Sequence, residues 1–273
     1  MRRAFLPLAL PLVLLAACKS ADKPAPPAAT ESTPAAAAPA PPPALVAHAG
    51  GGIGGTPVSN TREALDASYA AGYRWFEVDF SWTSDGHLVC IQTWGDHLEQ
   101  QFGATRGRKS LAEFTALKRT DGRTPITLAQ AMEWLAAHAD AVIVTDAKED
   151  NLKALEHIAK AHAALLPRLV AQAYDLPELA PAMALGYRGV ILSLYQSEAT
   201  DAEVLAAVAK TRPLAVAMPP ERAKTDGFVA KLRDLGLPVY VHTINDKAEW
   251  DRLAGLGVTG VYSDTLLPKD VGK

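Results

Sequence analysis

Residues 73–86 read "YRWFEVDFSWTSDG". Polar and apolar side chains alternate through Phe76–Asp79, the period of a β-strand, and "TSDG" closes the run as a turn. Glu77 and Asp79 then share one strand face. Two carboxylates on one face repel unless a cation lies between them or one takes a proton. A hard divalent ion, Ca²⁺ or Mg²⁺, meets that need through oxygen ligands. Ion pairs to Lys148 or Arg74 within a closed core would meet it as well.

The flanks repeat one alternation. Upstream, "ALVAHAG" (44–50) is a short apolar run ending in glycine, and "TREALDASYAAG" (61–72) has helical period and stops at Gly72. Downstream, "LVCIQTW" (88–94) reads as a further strand. "SLAEFTAL" (110–117) and "TLAQAMEWLAAHA" (127–139) read as helices capped by Ser110 and Thr127. "DAVIVTDAK" (140–148) reads as a buried strand and "NLKALEHIAKAHAALL" (151–166) as one helix. The pattern continues to a last strand, "GVYSD" (260–264). Strands alternating with helices over more than two hundred residues imply parallel crossover units. About eight such strands fit an α/β TIM (β/α)8 barrel better than an open sheet, and no GxGxxG follows the first strand.

In such a barrel, polar residues at the carboxyl ends of strands line the active site. The sequence puts there His48, Glu77, Asp79, Asp146, Lys148, Gln172, Tyr174, His242, Asn245 and Asp264, with Gln92 on the added strand.

The series formed by "HAGG", "NTREALDASYAAGYRWFEVDFSWTSDGHLV", "VTDAK", "VYVHTIND" and "GVYSD" resembles the glycerophosphodiester phosphodiesterase family, from about Leu45 to Leu266. The resemblance implies a TIM barrel with a small insertion after strand two, here residues 80–126. It also implies hydrolysis of glycerophosphodiesters to an alcohol and sn-glycerol 3-phosphate. By resemblance, His48 matches the first catalytic histidine, Glu77, Asp79 and Asp146 the metal ligands, and Lys148 the phosphate-facing lysine. Asp146 stands where a glutamate is usual. The family's second catalytic histidine follows "DG-x-x-V" in an apolar-apolar-His-Asp pattern, but here Gln92 and Thr93 take those places.

A glutamine amide donates a hydrogen bond but has no proton to give at pH 7. General acid–base catalysis is worth roughly 10²–10⁴-fold, so the expectation is a slow enzyme. His97, in an expected loop, and His242, at the end of strand seven, are candidates to replace the missing group. Packing against Trp75 or Tyr240 is the other reading of His242. His87 reads as a surface residue, and His138, His157 and His162 as residues of outer helices. Trp82 and Trp94 would either stack on a head group at the mouth or cover the insertion. A catalytically silent barrel that binds phosphate head groups, and a phosphatidylinositol-type phosphodiesterase, are the alternative functions.

The amino-terminal residues point to the cell envelope. "MRR" and the apolar run to residue 17 read as a signal peptide, and "LAAC" resembles a lipoprotein box, implying acylation of Cys18. Three acyl chains would anchor the protein firmly to a membrane. Residues 18–43 are rich in Ala and Pro and read as a disordered tether, with the barrel occupying 44–273. The expected location is the periplasmic side of the envelope. Net charge is −3 and becomes −5 without Arg2 and Arg3, with no basic stripe, so nucleic acid is not an expected partner. Two cysteines without a CxxC pair exclude a cysteine-built metal framework.

Overall fold

The strand that carries Glu77 and Asp79 is the structural centre of the molecule. Trp75–Trp82 is buried along its whole length. The computed structural model describes residues 42–53, 56–225 and 227–271. The signal segment, Cys18 and the tether as far as residue 41 lie outside the described residues.

The chain begins with β1 (Leu45–Ala47), a 3₁₀ turn at His48–Gly50 and α1 (Arg62–Ala70). It continues with β2 (Trp75–Trp82) and β3 (Leu88–Cys90), then α2 (Asp96–Phe102), α3 (Leu111–Ala116) and α4 (Leu128–Ala137). Next come β4 (Val142–Ala147), α5 (Asn151–Ala161), β5 (Leu169–Ala173), α6 (Leu176–Met183), β6 (Gly189–Ser193) and α7 (Asp201–Thr211). The last part holds β7 (Ala215–Met218), α8 (Pro220–Ala223), α9 (Phe228–Asp234), β8 (Val239–Val241), α10 (Lys247–Gly255), β9 (Gly260–Ser263) and α11 (Pro268–Val271).

Pairing runs β1-β9-β8-β7-β6-β5-β4-β2, all parallel, and β1 closes on β2 through Ala47 and Phe76. The expected closed eight-stranded barrel is therefore present. β3 lies antiparallel on the edge of β2, outside the cylinder, with Phe80 opposite Cys90. Side-chain alternation divides the strands into two faces. Val46, Trp75, Val144, Val170, Ile191, Ala217, Tyr240 and Tyr262 fill the interior. Phe76, Val78, Ile143, Leu192, Val216 and Val241 face the surrounding helices. A third cluster, Val89, Ile91, Trp94, Leu98, Phe102 and Phe114, holds the insertion together.

Local chemistry sets several boundaries. Ser110 and Thr127 both form capping boxes, with Glu113 and Gln130 returning the bond, as their positions before α3 and α4 imply. The run 151–166 is not one helix. α5 ends at Ala161 and a 3₁₀ segment follows at Ala163–Arg168, where Pro167 has no N–H to continue an α-helical ladder. His97 is not in a loop but in the first turn of α2.

Gln92 is likewise not on the added strand. β3 stops at Cys90, opposite Phe80, and the next residue of β2, Asp79, gives its N–H to Asn60 Oδ1 instead of to a strand. The chain therefore bends away and carries Gln92 over the barrel mouth.

Candidate active site

The mouth is organised by two glycines. At Gly51 φ is +100°, and a Cβ there would lie 2.0 Å from Ser68 Oγ. A Cβ on Gly52 would lie 2.6 Å from the Asp264 carbonyl oxygen. Only glycine lets the chain turn this tightly after β1, and that turn places His48 over the end of β2. Ala49 N donates to Glu77 Oε2 at 2.7 Å, so the same turn orients a carboxylate.

His48 is held from the neighbouring strand, since β9 pairs with β1 and places Asp264 just beyond Ser263, the partner of Ala47. Its Nδ1 lies 2.9 Å from Asp264 Oδ1, and Nε2 is 4.0 Å from Glu77 Oε2. Asp264 is fixed in turn by Asn245 Nδ2 at 2.8 Å, while the Asn245 side-chain oxygen accepts from Asp264 N and Ser263 Oγ. Burial would lower the pKa of His48. The Asp264 hydrogen bond and the charges of Glu77, Asp79 and Asp264 override burial and raise it to about 9.

Glu77, Asp79 and Asp146 converge as the strand periods imply. One oxygen from each lies within 4.8 Å of the others. The register explains why: Asp79 of β2 pairs with Asp146 of β4, and Glu77 lies one interior step below Asp79. Asp79 is fully buried and accepts from Asn60 Nδ2 at 2.6 Å, and Asn60 Oδ1 accepts from Asp79 N. Lys148 Nζ donates to Asp146 Oδ2 at 2.7 Å and lies 2.9 Å from Asp79 Oδ1. The Tyr174 hydroxyl donates to Asp146 Oδ1.

The charge balance is incomplete. Burial, then the charges of Asp79 and Asp146, hold Glu77 well above the usual carboxylate range. Burial also acts to raise Asp79, but Lys148, His48 and Asn60 reverse it and hold Asp79 low. Lys148 would be lowered by burial and is instead raised by Asp79, Asp146 and Glu77. Glu77 Oε1 is buried without a hydrogen-bond partner, and Asp79 Oδ1 meets the lysine charge without an aligned hydrogen bond. Orphaned carboxylate oxygens in a three-acid group with oxygen donors alone fit a hard divalent cation.

His48, Glu77, Gln92, Asp146 and Lys148 line one cavity of about 190 Å³, together with Gln172, Tyr174, Ser193, Tyr195, Gln196, His242 and Tyr262. His242 packs on Tyr195 and Tyr262, with ring centroids 5.2 and 5.4 Å away, rather than on Trp75 or Tyr240. His97 does not line this cavity. Its Nδ1 is 3.1 Å from Thr93 Oγ1, and it borders a separate groove beside Gln101 and Arg119. His87 is exposed in the turn before β3. Trp82 and Trp94 are buried, and Trp94 donates to the Trp82 carbonyl under the insertion. Trp94 packs in the insertion's own cluster, Trp82 packs on α5 against His157 and Lys153, and neither lines the cavity.

Three site residues lay in the sequence without a role. Asn60 sits in the "NT" of the motif series, and a positive φ of 51° for a buried asparagine marks its special task. Asp264 and Asn245 were placed at the mouth by strand period alone.

The Glycerophosphoryl diester phosphodiesterase family description matches residues 48–267. No curated protein matches significantly by sequence. Among solved structures, the glycerophosphodiester phosphodiesterase from Thermotoga maritima is 22% identical with a TM-score of 0.65, covering 81% of this chain and 94% of that one. A phosphodiesterase from Oleispira antarctica, solved with the product sn-glycerol-3-phosphate, is 21% identical with a TM-score of 0.64, over 84% and 95% of the two chains. A glycerophosphodiester phosphodiesterase from Agrobacterium tumefaciens is 17% identical with a TM-score of 0.63, over 84% and 98%. These likenesses are of fold. The family match spans the cavity, the three-acid group and every barrel strand from the end of β1 onward, so the chain belongs to the glycerophosphoryl diester phosphodiesterase family of phosphoric diester hydrolases.

Proposed function

We propose that this protein hydrolyses glycerophosphodiesters to an alcohol and sn-glycerol 3-phosphate with the help of Ca²⁺ or Mg²⁺. The observation that carries the reading is the convergence of Glu77, Asp79 and Asp146 beside His48 and Lys148 in one cavity. Glu77, Asp79 and Asp146 would hold the ion, which supplies charge neutralisation and polarisation of the phosphoryl oxygen when bound. Lys148 brings a point charge to the phosphate. The family match, and the sn-glycerol-3-phosphate found with the Oleispira phosphodiesterase, support the substrate class.

His48 reads from sequence as a base or a phosphate ligand. The carboxylates around it favour the protonated ring, so we assign it to hold the proton at Nε2 and give it to the leaving alkoxide. Asp264 keeps Nδ1 engaged, which fixes the ring plane and leaves Nε2 for the cavity. Gln92 lines the same cavity and is suited to orient a phosphate oxygen or a water.

The silent binding barrel remains the second reading because Gln92 occupies the place of a proton-transfer group. Turnover of glycerophosphocholine by the full chain with added Ca²⁺ or Mg²⁺ separates the two. Hydrolysis above the buffer rate, lost on chelation, is expected. A native rate equal to buffer together with a gain in Gln92→His would establish the binding barrel instead.

We further propose that acylated Cys18 holds the barrel at the envelope, with residues 19–43 as tether. The motif "LAAC" after an apolar run supports this. In cells fed an alkyne-tagged fatty acid, the wild-type protein takes up the tag and sediments with membranes. Cys18→Ala is expected to lose the tag and most of the membrane association. Tag uptake unchanged in that variant would overturn the anchor.

A further inference from the structure

Phosphodiester hydrolysis moves two protons. One leaves the attacking water and one joins the departing alkoxide. In-line attack puts these events on opposite sides of phosphorus, so one imidazole cannot serve both. Gln92 supplies neither proton transfer. The cavity contains a second imidazole besides His48, that of His242.

Three features set His242 apart from the other histidines. It lines the same cavity as His48, Lys148 and the acids, whereas His97 borders another groove. It follows β8 directly, so a rigid strand positions it, and its N donates to the Met218 carbonyl at 3.2 Å. Its ring is clasped by Tyr195 and Tyr262, yet Nε2 is buried with no hydrogen-bond partner. A structural core histidine has its polar atoms satisfied. This one keeps an unmet hydrogen-bonding capacity next to the phosphate site.

We propose that His242 is the base of the reaction: its ring takes the proton of the water that attacks phosphorus. This rests on the hydrolase reading above. The bond between water oxygen and phosphorus forms as the phosphorus–ester oxygen bond breaks. The water's proton passes to the His242 ring. The ester oxygen leaves with the bonding pair and takes its proton from His48 when it is an alkoxide. Burial, with the charges of His48 and Lys148 nearby, pushes the His242 pKa down to about 3. The ring is therefore neutral at pH 7; so low a pKa makes a weak base, and the negative charge of a bound phosphodiester is what would raise it toward the working range. Among the described residues no carboxylate forms a hydrogen bond or ion pair with it; the rings of Tyr195 and Tyr262 pack on it, and His48 and Lys148 are the charged groups that act on it.

The test compares the full chain with His242→Phe, which keeps an aromatic ring between the two tyrosines, and with His242→Gln. The substrates are glycerophosphocholine, which leaves as an alkoxide, and bis(p-nitrophenyl) phosphate, which leaves as a phenolate and needs no proton. Loss of the base slows attack on both, so kcat is expected to fall by roughly 10²–10⁴ for each ester in both variants. KM, the melting temperature and the Mg²⁺ or Ca²⁺ affinity should stay near wild type. Unchanged kcat would overturn the proposal. A loss confined to glycerophosphocholine would make His242 an acid and overturn it too. A loss in His242→Phe that His242→Gln does not share would reduce the residue to packing. No wild-type turnover of either ester would bring down the hydrolase reading itself, an outcome distinct from wild-type turnover that is indifferent to His242.

Discussion

The Asp79→Asn variant is expected to lose about 10³-fold or more of its turnover and most of its affinity for divalent ions. The ion's charge neutralisation is worth several kcal/mol, and each 1.36 kcal/mol is tenfold in rate. Asp79 is the most constrained of the three acids. It is fully buried, Asn60 holds Oδ2 at 2.6 Å, and Oδ1 faces Lys148. An amide in its place puts an N–H₂ group where an oxygen ligand is required, with little change in volume. Removing its charge also removes the second-largest cause of Glu77's raised pKa, so Glu77 should ionise more readily. Isothermal titration with Mg²⁺ and Ca²⁺, beside steady-state rates on glycerophosphocholine, measures both effects. Turnover within tenfold of wild type would remove the acids from the reaction.

The His48→Gln variant should show two losses of different kinds. Removing the proton donor costs roughly 10²–10⁴ in kcat for a poor alkoxide leaving group. The same variant changes how stability depends on pH. In the wild-type fold His48 has a pKa raised to about 9 from 6.5. A raised folded pKa means that the native state binds the proton more tightly than the unfolded chain. Its stabilisation is complete below about pH 6.5 and is lost as pH rises through 9. Its size is about 3 kcal/mol, because a tenfold difference in proton affinity is worth about 1.36 kcal/mol and the side chain is only 17% exposed. Urea unfolding in the presence of a chelator, from about pH 6 to about pH 10, should reveal this decline in wild type. The decline should be flattened in His48→Gln. An equal slope in both proteins would show that His48 and Asp264 are not coupled as the geometry states.

The two imidazoles of the cavity have opposite electrostatic surroundings. Carboxylates surround His48, while His242 has aromatic faces and two nearby cations. Environments that push two titratable groups apart in this way divide the acid and base roles between them. With glutamine at position 92, the cavity still offers a second imidazole besides His48. The barrel makes this possible because eight strand ends face one cavity, and a function can pass from the end of one strand to another.

Much of this molecule was legible in its sequence. Binary patterning set the fold class, because period-2 runs followed by helical runs bury their apolar faces only as parallel crossover units. It also placed Glu77 and Asp79 on one face, since side-chain direction along a strand is a local property of the backbone. The caps at Ser110 and Thr127 were local too, each satisfied within three residues. What lay beyond the sequence depended on contacts between segments far apart in the chain. β3 ends opposite Phe80, where the N–H of the next β2 residue, Asp79, is taken by the Asn60 side chain, and Gln92 lies off the strand. The bond from His48 to Asp264 spans 216 residues, and no local rule selects that partner. Whether His97 or His242 faces the cavity was likewise a tertiary matter, because both are near strand ends in the chain and only ring closure brings one of them beside the phosphate site. Sequence determined which side chains could do chemistry, through residue type and period. The closed barrel decided which of them meet, because convergence is a property of the packed ring of strands and not of any one of them.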